Sequence, residues 1–349
     1  MNAFVISDSY YDMSKSNIDG FADSVDIIQT YKKKNDAASG PDIDVTKDTF
    51  TVYLSGLDNM GSPDQQTRSD TNLILIVNPK ANHIDMVSLP RDGYIPNAAY
   101  DYKNDKLTHT GNDGIENSVE TIQNFFGIPI DYYARVSFNS LIEIVDTIGG
   151  IDVDVEIDFC EQDENRSFKK EDLICLKKGK QHLNGKQALA YSRHRKTKGY
   201  DNAGRERAQQ RIIKAIINKL ISANGLTKVN DLMDIAPNYI ITNMPAEKIA
   251  DFVSGELNEL KPWTISSITS DNGVYEDLYV ASLDPSLGVS NVYLFSRDEV
   301  HAVVNAYDAA RRQLQMNSFT FNLNDLYANT PKINTSENIR YADMAENPQ

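Results

Sequence analysis

The sequence predicts an α/β (α+β) fold in which a central mixed β-sheet is flanked by helices, and three features carry that expectation. Short apolar runs at Phe50–Ser55, Asn72–Val77 and His83–Ser88 follow one another, separated by turn residues such as Asn78-Pro79, the pattern of neighbouring strands. Segments with helical spacing alternate with further strand-like runs along the rest of the chain. Of the 349 residues 40% are hydrophobic, enough to fill the core that such layers require.

Residues 1–45 combine a weak helical pattern (Phe21, Val25, Ile27, Ile28) with a polar run up to Asp44, which predicts a helix and a linker. After the three strands, Glu116–Phe126 spaces Val119, Ile122 and Phe126 along one side of a helix that Gly127 stops. Tyr132–Phe138 predicts a strand and Ser140–Ile148 a helix closed by Gly149-Gly150. Ile151–Ile157 alternates apolar and acidic residues, as a strand with one wet face does. Ala188–Arg195 is expected as a strand, and Gly204–Ser222, with a broad apolar stripe from Ile212 to Ile221, as a long buried helix. Helices at Val229–Ile235 and Ala246–Leu260, strands at Trp263–Ile268 and Leu278–Ala281, and a helix at Val300–Leu314 complete an expected domain over 46–316. Residues 317–349 are rich in Asn, Thr, Ser and Pro and predict a loosely held tail.

The 50 acidic residues outnumber the 35 basic ones, and the formal charge of −15 argues against general affinity for nucleic acid or for an anionic membrane surface. No run of about 18 apolar residues occurs, and the N-terminus lacks the pattern of a signal peptide. Phosphate-cradling Gly-x-x-x-x-Gly-Lys, Gly-x-Ser-x-Gly, Cys-x-x-Cys and His-Glu-x-x-His are all absent, which weakens the case for nucleotide hydrolysis and zinc proteolysis. The two cysteines, Cys160 and Cys175, lie in a charged, loop-like stretch and either close a disulfide or are unrelated thiols.

Two groups of charged residues stand out. Asp58 follows the first strand, Arg68-Ser69-Asp70 precedes the second, and Arg91-Asp92 follows Pro90 at the end of the third, so strand ends deliver carboxylates and guanidiniums where side chains can converge. The plain alternative is a set of surface ion pairs. Between Lys186 and Lys214 nine basic residues stand against two acids, a local excess of 9 − 2 = +7 in an acidic chain. Arg193 and Arg195 alternate on the expected strand and so share a face. Arg205 and Gln209 are four apart near the start of the long helix, where the helix dipole also favours anions. Arginine forks suit phosphate oxygens, whereas the plain alternative here is a solvated basic face.

Six stretches resemble the LytR-CpsA-Psr family of bacterial cell-wall assembly proteins. They are Thr51–Asp58 (TVYLSGLD), Thr67–Pro79 (TRSDTNLILIVNP), Val87–Asp92 (VSLPRD), Asp105–Gly111 (DKLTHTG), Ile130–Ile151 (IDYYARVSFNSLIEIVDTIGGI) and Leu183–Gln210 (LNGKQALAYSRHRKTKGYDNAGRERAQQ). They come in the family's order and cover about a quarter of the chain. The resemblance implies an extracytoplasmic phosphotransferase that moves a glycopolymer, such as teichoic acid or capsule, from a polyprenyl diphosphate carrier to peptidoglycan. Its members carry one N-terminal membrane helix, which this sequence lacks, so residues 1–45 are expected to lie beside a missing anchor at the cell membrane.

By the same resemblance Asp58 and Asp70 hold Mg2+ (or Mn2+), while Arg68, Arg91, Arg193, Arg195 and Arg205 grip the diphosphate, with Lys106 and Gln209 beside them. Asp58, Asp70, Arg91 and Asp201 are the expected catalytic set. Asp70 or Asp201 accepts the proton of the attacking sugar hydroxyl, the 6-hydroxyl of N-acetylmuramic acid. The family often shows Asp-x-x-Arg ahead of the long helix, whereas Asp201 and Arg205 are separated by one residue more. A polyprenyl tail needs an apolar channel, for which Ile122, Phe125, Phe126, Phe138, Leu141 and Val145 are candidates, with core packing as the alternative. An extracytoplasmic location favours the Cys160–Cys175 disulfide. Two rival functions are a pyrophosphatase that uses water as acceptor and a non-catalytic receptor or regulator for lipid-linked glycan.

Overall fold

The structure is a computed structural model that describes residues 43–313 apart from 168, 201, 221, 223–227, 260–262 and 271. The helix expected within the first 45 residues, the tail from 317 and Asp201 lie outside the described residues. The elements begin with strands β1 (Phe50–Leu57), β2 (Ser69–Asn78), β3 (His83–Leu89), β4 (Tyr94–Asn97) and β5 (Lys103–Lys106). Helices α1 (Leu107–Thr110) and α2 (Ile115–Phe126), strand β6 (Tyr132–Val136) and helix α3 (Phe138–Thr147) follow. Then come β7 (Ile151–Val155), β8 (Phe159–Glu161), β9 (Ile174–Leu176), β10 (Gly179–Leu183), α4 (Gly185–Arg193) and α5 (Asn202–Leu220). The remainder is α6 (Val229–Tyr239), β11 (Ile240–Thr242), α7 (Ala246–Glu259), β12 (Thr264–Ile268), β13 (Val274–Leu278), β14 (Ser290–Leu294) and α8 (Arg297–Gln313).

A six-stranded mixed sheet in the order β11-β6-β1-β2-β3-β12 is the centre of the fold, and helices flank it. Its β2–β3 hairpin is antiparallel with Asn72 opposite Leu89, and every residue from His83 to Leu89 is buried. The turn is built by Asn78, whose side chain caps Pro79–Ala81, and by Asn82 at φ 49°, a left-handed position that asparagine tolerates.

The described chain divides into two compact units. One takes in the chain up to Tyr53, Gln66–Tyr133 and the part from Ser266 onward; the other takes in Leu54–Gln65 and Ala134–Ile265. Each has its own apolar core. In the first, Tyr53, Ile74, Ile76, Val87, Phe126 and Phe295 belong to one buried cluster. In the second, Val145, Ile151, Val153, Tyr191, Ala208 and Ile212 belong to another. The expected alternation at Ile151–Val155 holds, with Ile151, Val153 and Val155 buried and Asp152 and Asp154 exposed.

Two expected strands differ. Ala188–Arg195 is no strand: Gly185–Arg193 is helix α4, started by a capping box in which Asn184 and Gln187 exchange side-chain to backbone bonds of 3.0 Å. Ala188, Leu189 and Ala190 are strong helix formers and poor strand formers, so the box decides the outcome. Arg193 therefore closes a helix and Arg195 lies in the following coil, and the two do not alternate on a strand. The strand expected at Leu278–Ala281 lies earlier, at Val274–Leu278, where it pairs with β14 and ends in register with Ser290.

Candidate phosphate-binding site

In the first unit the β2–β3 register builds a charged cluster. Two residues beyond the last ladder pair, Asn72 opposite Leu89, the same register sets Asp70 across from Arg91. Arg91 Nη1 donates to Asp70 Oδ1 at 3.0 Å, and its Nε lies 3.6 Å from Asp92 Oδ2. Lys106, the last residue of β5, reaches Asp92 Oδ1 at 2.9 Å. Thr108 on α1 donates through Oγ1 to Asp70 Oδ1 at 3.3 Å, and its backbone N–H donates to the Arg91 carbonyl at 2.8 Å. Gly111, just after α1, lies against the chain before β2, where a Cβ would sit 2.6 Å from the Thr67 carbonyl oxygen. Arg68 is exposed in the coil just before β2.

Burial works against the charge of Arg91, but the Asp70 and Asp92 carboxylates outweigh it and hold its pKa above the ordinary arginine value. Two cations face two carboxylates, so the cluster of Arg91, Lys106, Asp70 and Asp92 is electrically closed.

The second unit builds a cluster of different balance. The chain after β1 is held where Phe138 N–H donates to the Asn59 carbonyl at 2.9 Å and Asn139 Nδ2 to the Met60 carbonyl at 2.5 Å, just past Asp58. Ser137 and Ser140 start helix α3 with a capping box, which fixes Phe138 at its first position. The Arg193 guanidinium carbon lies 5.2 Å from the centre of the Phe138 ring, and Nη1 donates to the Asp163 carbonyl at 3.2 Å. Asp58 accepts from Arg166 Nη2, a residue between the two cysteines. Burial and then the neighbouring Arg166 guanidinium pull the pKa of Arg193 below the ordinary value, and Asp58, Glu161 and Asp163 only partly oppose them. The nearby carboxylates thus do not fully offset the burial of Arg193 and the second positive charge.

A disulfide joins Cys160 and Cys175, which face each other across the β8–β9 pair. The segment it closes is tied to the end of α4: His194 Nδ1 lies 3.0 Å from Glu161 Oε2, Lys196 Nζ 3.4 Å from Oε1, and Lys186 bonds Glu164. Burial alone would raise the pKa of Glu161, but the bonds from His194 and the Gln162 N–H bring it down to about 2.

Among the described residues, basic side chains between Lys186 and Lys214 are matched to acids: Lys186 to Glu164, Lys196 to Glu161, and Arg207 and Arg211 both to Glu156. Part of the local charge excess is thus architectural and fastens α5 to the end of β7. Arg195 is exposed, and Arg205 is half-buried on α5 four residues before Gln209, whose Nε2 donates to the Ser192 carbonyl at 3.3 Å. The channel candidates separate: Ile122, Phe125 and Phe126 belong to the first unit's core, Val145 and its neighbour Leu141 to the second's, and half-buried Phe138 carries Arg193 on its ring. Ile122 and Val145 are fully buried and act as core packing. Thr108 and Arg166 were not legible as site residues, the first being a neutral side chain within a motif and the second one basic residue in a polar loop.

For magnesium the donor chemistry is suitable. Asp58 and Asp70 offer hard oxygens, and both bonds of the Asp70 side chain fall on Oδ1, leaving Oδ2 for a cation. No group of three or more His, Cys, Asp or Glu side chains gathers as a metal cage among the described residues. Magnesium at a phosphate needs only one or two carboxylates, the remaining ligands being phosphate oxygens and water.

A model of the LytR_cpsA_psr family matches residues 14–286. The chain belongs to the LytR_cpsA_psr family. Among relatives of this LytR_cpsA_psr chain, the polyisoprenyl-teichoic acid–peptidoglycan teichoic acid transferase TagV of Bacillus subtilis is 31% identical over 268 residues, 73% of this chain and 62% of TagV. TagU of the same organism, a transferase of the same description, is 34% identical over 66% of this chain and 72% of TagU. The crystal structure of B. subtilis TagV overlays 78% of this chain and 99% of the crystallised chain with TM-score 0.61 and 28% identity. That of B. subtilis TagU gives 0.54 and 27%. Among the described residues no helix is long and apolar enough to cross a membrane.

Proposed function

We propose that the chain transfers a glycopolymer, a teichoic acid or related glycan, from a polyprenyl diphosphate carrier to peptidoglycan outside the cell membrane. The observation that carries this reading is the Arg193 guanidinium, held over the Phe138 ring and bonded to the Asp163 backbone carbonyl rather than to a carboxylate among the described residues, a setting in which a phosphate can supply the countercharge. Family membership and the transferase names of TagV and TagU support the same chemistry.

In this reading an acceptor sugar hydroxyl attacks the phosphorus that bears the glycan. A new P–O bond forms, the bond to the bridging oxygen breaks, and polyprenyl monophosphate leaves with its electron pair. Arg68, Arg91, Arg193, Arg195 and Arg205 are the guanidiniums that take negative charge on the phosphates. Asp70 or Asp201 accepts the hydroxyl proton. Asp58 and Asp70 would hold magnesium, which supplies further neutralisation of phosphate charge.

Asp70→Asn tests the reading, since the amide keeps the size and loses the charge. Transfer of labelled glycan from polyprenyl diphosphate to peptidoglycan should fall by at least about a hundredfold, while binding of the lipid suffers less. Chelating the metal from the unmodified protein should give the same loss, and the two treatments should not add. Product analysis with and without peptidoglycan separates transfer from hydrolysis. Near-normal transfer by the variant in metal-depleted buffer would refute the metal assignment.

A further inference from the structure

Arg166 lies on the segment between Cys160 and Cys175, at φ 57°, a left-handed conformation that residues other than glycine seldom adopt. The turn that holds it is closed by hydrogen bonds: Arg166 N–H donates to the Asp163 carbonyl at 3.0 Å, Ser167 N–H to Asp163 Oδ1 at 2.8 Å, and Gln162 Nε2 to the Arg166 carbonyl at 2.9 Å. From outside, the segment is fastened by the disulfide at its base, by His194 and Lys196 on Glu161, by Lys186 on Glu164, and by Arg193 on the Asp163 carbonyl. These restraints direct an arginine onto Asp58 and into the field of Arg193.

An ordinary surface ion pair would not need such a frame. The Arg166–Asp58 pair is also weakly held, because the two side chains are 55% and 43% exposed and water screens them. The Asp163 carbonyl accepts from both the Arg166 N–H and Arg193 Nη1, which brings the two residues to one place, and Asp58 accepts from the Arg166 guanidinium; Glu161 is engaged by His194 and Lys196, and the Asp163 carboxylate by Ser167 and Asn165. A phosphate group offers more oxygens and more charge than one carboxylate, in the planar spacing that a guanidinium fork matches.

We propose that Arg166 is a further phosphate-binding residue of the Arg193 cluster, sharing the diphosphate with Arg193 and exchanging Asp58 for it. The proposal rests on the reading that this cluster takes a diphosphate. On binding, the Arg166 fork turns from the Asp58 carboxylate to phosphate oxygens. The closed segment between the cysteines serves as the arm that carries this second fork.

The test is calorimetric titration of inorganic pyrophosphate into the full chain and into Arg166→Gln, Arg166→Lys and Arg193→Gln, with glycerol 3-phosphate as a second probe and thermal unfolding as the check on folding. Arg166→Gln should weaken pyrophosphate binding about tenfold, and Arg166→Lys, which keeps the charge and loses the fork, should fall between it and the unmodified chain. Unchanged pyrophosphate affinity in Arg166→Gln beside a clear loss in Arg193→Gln would overturn the inference and leave the function standing. No loss in either variant would overturn the reading beneath it. A loss confined to glycerol 3-phosphate would also overturn the inference, since it would place Arg166 on the repeating polymer.

Discussion

Arg91 and Arg193 are both partly buried arginines among acids, yet their surroundings push their charge in opposite directions. Arg91 is matched by Asp70 and Asp92, with Lys106 completing the balance, and its positive charge is secured. Burial, and then the charge of Arg166, disfavour the positive charge of Arg193. The same residue type therefore serves two ends. Arg91 is bonded to a carboxylate, whereas the hydrogen bond of the Arg193 guanidinium among the described residues goes to a backbone carbonyl.

Removing each arginine breaks this comparison most directly. Arg91→Ala leaves Asp70, only 18% exposed, with the Thr108 hydroxyl in place of a cation and Asp92 with Lys106 alone, and should cost about 3 kcal/mol of unfolding free energy by denaturant titration. Arg193→Ala forfeits one ring contact and one bond to a carbonyl but also relieves a like-charge neighbour, and should cost no more than about 1 kcal/mol. Its loss should instead appear as weaker binding of the lipid diphosphate, by about 1.5 to 3 kcal/mol. Equal destabilisation by the two substitutions would mean that the clusters do not differ in kind.

The clusters also differ in what holds them. A β-ladder registers Asp70 against Arg91, whereas a short segment closed by a disulfide and by Glu161 positions Arg166. Glu161 is brought down to about 2 from an ordinary 4.5, so its stabilisation is fully present above pH 4.5 and is lost as pH falls toward 2. Across that window the unmodified chain should lose roughly 3 kcal/mol relative to Glu161→Gln. Reduction of the disulfide, which spans 15 positions, should cost a similar amount, about 3 kcal/mol by the loop-entropy estimate. Pyrophosphate affinity at pH 7 should fall after reduction, and an unchanged affinity would show that the segment does not position the site.

This difference explains what the sequence could and could not reveal. The meeting of Asp70, Arg91 and Asp92 was legible in part, because the apolar runs and the Asn78-Pro79 turn put these charges at neighbouring strand ends, while the register that sets Asp70 across from Arg91 is seen only in the structure. Helix α5 was legible through its apolar stripe. The strand expected at Ala188–Arg195 was misjudged because eight residues do not separate a short helix from a strand by period, and the Asn184–Gln187 capping box is a local hydrogen-bond choice. Arg166 was invisible because its place depends on contacts made by residues 20 to 30 positions away, Lys186, Arg193 and His194. The nine basic residues signalled an anion site, but only the structure separated those that bind Glu156, Glu161 and Glu164 from the rest.

The smallest expected effect is also the one whose sign discriminates most sharply. Asp58→Asn removes the carboxylate from an exposed pair, so stability should change by less than about 1 kcal/mol. The Asp70 carboxylate supports Arg91 inside a closed cluster, but Asp58 competes with any phosphate for Arg166. In metal-free buffer, therefore, Asp58→Asn should bind inorganic pyrophosphate two to five times more tightly, about 0.4 to 1 kcal/mol. The gain should shrink as salt is added, because it comes from removing a screened negative charge. With magnesium present the sign should reverse, since Asp58 would be one of the carboxylates that hold the ion and the amide would not supply that charge. Weaker pyrophosphate binding in both conditions would show that Asp58 holds Arg166 in place rather than competing for it.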